Sequence, residues 1–232
     1  MNLQSIANLP GLKVFTEFLF HLEGAWFDLS RSVHTSHRIS VKELTLAGDT
    51  RGANGYMPIR PSTARSILRD LPIDDPSRYV FVDLGSGKGR MLLIAAERPF
   101  REIQGIEFAA ELHREAEANI NRYRSSKQRC KRIRSLALNA ADYAFPRADL
   151  VIYLFNSFGR AVMEQVLDRL EKSLEEDPRE VILAMLFPEL AFLVDARTRF
   201  CLYKQTRRYR IYRSSGNASS AVSDPSAPRA IG

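Results

Sequence analysis

The stretch from Val80 to Ala96 constrains this 232-residue chain more than any other. Val80-Phe81-Val82 is apolar and Asp83 ends the run. Leu84-Gly85-Ser86-Gly87-Lys88-Gly89-Arg90 follows and leads into Met91-Leu92-Leu93-Ile94-Ala95-Ala96. A short apolar run bounded by glycines reads as a buried strand, and the second apolar run reads as the first turns of a helix. A strand that passes into a helix through glycines aims backbone N–H groups and the positive end of a helix dipole at a ligand.

The same alternation recurs along the chain. Strands are expected at 79–84, 102–107, 132–138, 149–155 and 180–187, and helices at about 61–69, 89–98, 109–124 and 162–174. Asp149-Leu150-Val151-Ile152-Tyr153-Leu154-Phe155 has no polar interruption after Asp149, as in a strand buried on both faces. Residues 200–203 and 208–212 read as a terminal antiparallel pair. The predicted fold class is α/β: a doubly wound, mostly parallel seven-strand sheet with an antiparallel C-terminal hairpin and an N-terminal helical cap. Right-handed crossovers put the loops after the strands on one edge, at 83–89, 107–108, 139–142 and 156–159, and ligands bind there.

Three regions follow from this reading. Residues 1–57 form a helical cap and an irregular connection with a turn at Asn54-Gly55, 58–213 the main domain, and 214–232, with six serines, a disordered tail. In the cap, Phe18, Leu22, Trp26 and Leu29, with Phe15 and Leu19 beside them, recur at helical spacing and are expected to pack on the main domain. A membrane-surface helix is disfavoured because the segment has no basic polar face. No run of about 18 apolar residues spans a membrane, no signal peptide is evident, and a cytoplasmic location is expected. Cys130 and Cys201 read as free thiols, and His34 and His37 have no further ligands near them in sequence, so no metal site is expected.

The formal net charge is +7. It concentrates in two acid-free clusters: Arg122, Arg124, Lys127, Arg129, Lys131, Arg132 and Arg134, and Arg197, Arg199, Lys204, Arg207, Arg208, Arg210 and Arg213. Such clusters either steer an anionic partner or form solvated faces. They support an alternative reading as a nucleic-acid-binding or RNA-modifying protein.

The glycine turn excludes two ligand classes. A P-loop requires GxxxxGK followed by Ser or Thr, whereas Lys88 precedes Gly89-Arg90. A dinucleotide fingerprint requires GxGxxG, whereas Arg90 stands at the third glycine position. Asp83, Gly85, Gly87 and Gly89 instead complete DxGxGxG. This resembles motif I of class I S-adenosylmethionine-dependent methyltransferases. An acid at the start of the loop suits a cofactor that carries an ammonium and a sulfonium rather than a pyrophosphate.

The resemblance covers roughly residues 55–190. LGSGKGRMLLIAA and Tyr153-Leu154-Phe155-Asn156-Ser157-Phe158-Gly159 are similar to a group of largely uncharacterised bacterial methyltransferases and to non-SET, seven-strand protein-lysine methyltransferases. It implies S-adenosyl-L-methionine as cofactor, held by Asp83, Leu84, Gly85, Ser86, Gly87 and Gly89, and by Glu107 on the ribose with Phe108 beside it. Asn139, Ala140 and Asp142 are expected around the adenine, with Asn156 also at the cofactor. Leu138-Asn139-Ala140 departs from the family's Gly-Asp-Ala, and Asn156-Ser157-Phe158 departs from Asn-Pro-Phe. Asn156, Phe158 and Tyr56 are expected to position the methyl acceptor. A protein side chain or a small amine is the expected acceptor, ahead of nucleic acid. The two departures also leave open a non-catalytic cofactor-binding domain of the same fold.

Overall fold

The computed structural model describes residues 10–44 and 55–214. The first residues of the expected cap, its Asn54 turn and the serine-rich tail beyond residue 214 lie outside the described residues.

Helix α1 (Pro10–Arg31) leads into an extended segment, and α2 (Pro61–Arg69) into β1 (Tyr79–Leu84). There follow α3 (Arg90–Ala95), β2 (Glu102–Glu107), α4 (Ala110–Arg122), β3 (Ile133–Ala137), β4 (Asp149–Phe155), α5 (Arg160–Glu176), β5 (Val181–Leu186), α6 (Ala191–Asp195), β6 (Phe200–Gln205) and β7 (Tyr209–Ser214). The strands form one sheet in the order β3-β2-β1-β4-β5-β7-β6. The first five are parallel, and β7 runs antiparallel to both β5 and β6. The fold class matches the expectation, with α6 as an element that the sequence did not announce.

The central strands owe their position to composition. All six residues of β1 and of β5 are buried, and β4 is buried from Leu150 to Leu154. Val, Ile, Leu and Phe fill both faces. One layer joins Phe81, Val151 and Ile182 to α2 and α3, and the other joins Val80, Ile152 and Leu183 to α5. Chain order reverses at β1, which has β2 on one side and β4 on the other, so a crevice opens at their carboxyl ends.

Helix α1 corrects one expectation. Phe18, Leu22, Trp26 and Leu29 do not pack on the domain and are 49–77% exposed. The inward face carries Glu23, Gly24, Phe27 and Asp28 instead. Glu23 accepts from Arg60 Nε at 2.5 Å and from the backbone N–H of Ser62, while Asp28 serves the buried Arg90. The reason is electrostatic. A guanidinium that is 2% exposed requires a carboxylate and hydrogen-bond acceptors, and α1 with its following segment supplies them.

Candidate active site

A cleft of about 410 Å³ opens at the carboxyl edge of the sheet, within the range of small-ligand sites. Its floor is Asp83, 2% exposed at the end of β1. The register sets Tyr153 of β4 directly beside it. Asp83 Oδ1, the Tyr153 hydroxyl and Ser86 Oγ are buried, line the same cleft and meet no hydrogen-bond partner among the described residues. Each such atom costs about 1–3 kcal/mol when left unsatisfied. Three of them around one cavity define a place for a polar ligand.

The electrostatics specify that ligand further. Burial pushes the Asp83 carboxyl well above the usual carboxylate range, and the nearby Glu107 pushes it further up. Burial likewise raises the Tyr153 hydroxyl, with Asp83 adding to the effect. Glu107 is raised by burial, although the N–H groups of Gly87 at 2.7 Å and Ala109 at 2.8 Å oppose the shift. Two buried acids with raised pKa values favour a cationic group between or beside them, because it restores their ionised forms. A carboxylate accepts about four hydrogen bonds, so Glu107 retains capacity for a ligand after serving the two backbone donors.

The glycine loop is shaped by what lies on it. Gly85 has φ +84° and Gly87 φ +54°, a region that disfavours side chains. A Cβ on Gly85 would stand 2.3 Å from the Ser157 Cβ, and one on Gly87 would stand 2.2 Å from the Tyr56 ring. Tyr56 is held there by its hydroxyl, which donates to the Thr35 carbonyl at 2.8 Å. Lys88 turns away from the cleft. Its ammonium is 2.8 Å from Glu115 and 5.6 Å from the Tyr56 ring centroid. No lysine of this loop is left for a phosphate, in agreement with the exclusion of a P-loop.

Arg90 connects the loop to the cap. Its Nε donates to Thr35 Oγ1 at 2.6 Å, Nη1 to the Ile59 carbonyl at 3.1 Å, and Nη2 to Ser36 Oγ at 2.6 Å and to Asp28 Oδ1 at 3.4 Å. Thr35, which anchors Tyr56, is thus also bonded to Arg90. Sequence reasoning used Arg90 only to reject a dinucleotide fingerprint.

Most of the expected site residues come together. Tyr56, Asp83, Gly85, Ser86, Gly87, Glu107, Phe108, Asn139, Ala140, Asn156 and Phe158 all line the cleft. Three do not. Leu84 is fully buried in the core beneath the loop, and Gly89 starts α3 against Ala116. Asp142 is exposed on the short turn Ala140–Asp142, outside the lining, because that turn carries it past the cleft. Asn139 begins the same turn, its side chain accepting from Ala141 N at 3.0 Å.

Ser157 lies on the lining within the expected loop 156–159, whereas sequence reasoning missed Tyr153, Phe155, Phe187 and Glu189 there. Tyr153 was read as core because it stands in an apolar run. Only the β1–β4 register reveals its hydroxyl beside Asp83. At the outer end, Asn156 (φ +44°) and Phe187 (φ +47°) both adopt left-handed backbone. The rings of Phe155 and Phe187 lie 5.7 Å apart, and Phe158, Tyr56 and Met57 complete an aromatic and apolar mouth. Non-glycine residues in this conformation cluster where a loop is held for function.

No protein-family model matches the sequence, and no curated protein matches it either. Solved structures do match. One is described as a predicted N6-adenine-specific DNA methylase from Listeria monocytogenes, with a TM-score of 0.50 and 16% identity, covering 73% of this chain and 53% of that one. Another is the PH0226 protein from Pyrococcus horikoshii, with a TM-score of 0.50 and 14% identity, covering 68% of this chain and 89% of that one. The match thus spans about half the length of the Listeria protein. With the strand order and the position of the cleft, these likenesses establish the fold. It is the seven-strand fold of class I S-adenosylmethionine-dependent methyltransferases.

Proposed function

We propose that the chain is an S-adenosylmethionine-dependent methyltransferase whose acceptor is an amine nitrogen, on a protein side chain or a small molecule. The observation that carries this reading is Asp83 Oδ1, buried at the start of the DxGxGxG turn beside Tyr153 and without a hydrogen-bond partner among the described residues. The residues present fit the cofactor. Asp83 suits its ammonium, Glu107 its ribose hydroxyls, and Asn139 with Ala140 and Phe108 its adenine. When bound, S-adenosylmethionine supplies a methyl group on a sulfonium that is already activated to leave.

The chain's own residues then have three tasks. The first is orientation, because a nucleophile aligned with the methyl group gains most of the available acceleration. Asn156, fixed at the end of β4, offers a side-chain carbonyl as acceptor for an amine N–H. The second is charge stabilisation. An amine becomes cationic as it is methylated, and the faces of Phe155, Phe158, Phe187 and Tyr56 favour a cation. The third is exclusion of water, for which the same apolar mouth and Met57 serve. Glu189, the carboxylate on this rim, favours the approach of an ammonium-bearing substrate.

Isothermal titration with S-adenosylmethionine and with its demethylated product tests the cofactor reading. Binding with one site per chain is expected, and no heat from folded protein at about millimolar cofactor overturns it. Transfer of a tritiated methyl group into a cell lysate tests the acceptor. Label in protein or small amines is expected. Label confined to nucleic acid leaves methyl transfer standing and refutes the amine acceptor.

A further inference from the structure

The outward face of α1 carries Phe18, Leu22, Trp26 and Leu29, exposed by 55, 49, 68 and 77%. With Ala25 they form a stripe about 16 Å long that holds no charged residue. In sequence this segment lacks the basic component that a membrane-surface helix needs. The fold provides it from elsewhere. Arg124 N donates to the carbonyl of Arg31, the last residue of α1, at 3.2 Å, which docks the end of the helix against the acid-free cluster 122–134. All seven basic side chains of that cluster are exposed. Arg134 pairs with Glu102, and the other six meet no carboxylate among the described residues.

We propose that the outer face of α1 and the adjoining 122–132 segment form a docking surface for an anionic lipid bilayer. Each half alone binds marginally, and stable association of a peripheral protein takes two signals, one apolar and one electrostatic. Trp and Phe with Leu on one face suit the headgroup–acyl boundary. Basic side chains near the surface add attraction to anionic lipid and lose it with salt. No helix among the described residues is long and apolar enough to cross a membrane, so the contact lies on the surface. A nucleic acid would account for the cluster but would leave the charge-free Trp26 and Leu29 in water. A lipid surface engages both halves.

Trp26 is the sole tryptophan of the chain and reports the contact directly. The full chain is mixed with vesicles of phosphatidylcholine containing about one third phosphatidylglycerol, with pure phosphatidylcholine vesicles, and with single-stranded RNA. A blue shift of Trp26 emission and co-flotation are expected with the anionic vesicles, falling by at least about tenfold with pure phosphatidylcholine or in 0.5 M salt, a salt level whose Debye length is roughly 4 Å. The double variant Leu22→Ser/Leu29→Ser changes only exposed side chains. It is expected to keep its fold and its cofactor binding while losing flotation by roughly tenfold or more. Lys127→Glu/Arg129→Glu/Lys131→Glu is expected to abolish the preference for anionic vesicles. The proposal is overturned if folded protein neither floats nor shifts, or if both vesicle types bind equally. It is also overturned if Leu22→Ser/Leu29→Ser dissociates a dimer seen by light scattering, which makes the stripe a contact between copies. RNA binding through the cluster without vesicle binding overturns it as well.

Discussion

Replacing Asp28 by Ala isolates the link between the cap and the cofactor loop. Asp28 accepts from Thr35 N at 2.8 Å, Thr35 Oγ1 at 2.5 Å, Ser36 N at 2.7 Å and Arg90 Nη2 at 3.4 Å. Its loss leaves the Arg90 guanidinium, 2% exposed, with neutral acceptors only. Removing one partner of a buried ion pair costs about 3–5 kcal/mol. Asp28 is itself 15% exposed and the contact is long, so water and counter-ions reach the gap and the lower end applies, about 3 kcal/mol. A chain of this size loses roughly 2–4 °C of Tm per kcal/mol, so Asp28→Ala should melt about 6–12 °C lower by calorimetry. The second readout is cofactor affinity. Thr35 holds Tyr56 against Gly87, so a loosened 35–36 segment should weaken S-adenosylmethionine binding by roughly tenfold, the equivalent of about 1.4 kcal/mol. Glu23→Ala is the comparison, since Glu23 bonds Arg60 and Ser62 at the rim and not the loop. A Tm within about 2 °C of the unmodified protein refutes the buried-pair reasoning. A lower Tm with unchanged affinity shows that the cap stabilises the domain without shaping the site.

Three further outcomes follow from the cleft. The raised pKa of Asp83 means that its contribution to the stability of the free protein is fully present below about pH 4 and is lost as pH rises toward its folded-state value. Asp83→Asn should therefore lose less stability than the unmodified protein between pH 4 and pH 8 in thermal melts, while binding cofactor about ten- to a hundredfold more weakly. Tyr153→Phe removes a buried hydroxyl that has no hydrogen-bond partner among the described residues, so thermal stability should hold or rise without ligand, and the added stabilisation by cofactor should shrink. Gly87→Ala should cost at least about 1–2 kcal/mol from its positive φ alone, and more from the Tyr56 ring. Adding Tyr56→Ala should recover the steric part, which a double-mutant cycle on cofactor affinity measures.

The centre of the sheet was legible because β1, β4 and β5 are mostly apolar runs, and such runs have few alternatives to burial. The near half of the site was legible for a related reason. Loops that follow parallel strands must share one edge, so Asp83, Glu107, Asn139 and Asn156 were placed together without knowing any distance. Contacts that depend on register were not legible. Tyr153 sits beside Asp83 because of the β1–β4 pairing, Ser157 covers Gly85 because the loop after β4 folds back, and Phe187 reaches Phe155 through a left-handed residue. Asp142 stands exposed on the turn Ala140–Asp142, outside the lining of the cleft, which its sequence distance from Asn139 does not reveal.

The orientation of α1 was misread for a reason that bears on its use. Its apolar periodicity is strong, but burying that stripe would turn Glu23 and Asp28 outward and leave Arg60 and the buried Arg90 without carboxylates. A side chain such as Leu or Phe gains about 1.5–3 kcal/mol on full burial. Four of them, each already half covered or less, still outweigh the roughly 3 kcal/mol assigned to Asp28. Packing energy alone would therefore favour the opposite face against a matching apolar surface. The domain does not offer one there. Its side of the contact is lined by Arg90, Arg60 and Ser62, with Thr35 and Ser36 of the segment after the helix beside them, and among the described aromatic side chains of the helix Phe27 is the one that is fully buried. The stripe thus keeps in water an apolar free energy that is realised when the face meets an apolar phase. The Trp26 emission shift measures whether a lipid surface is that phase.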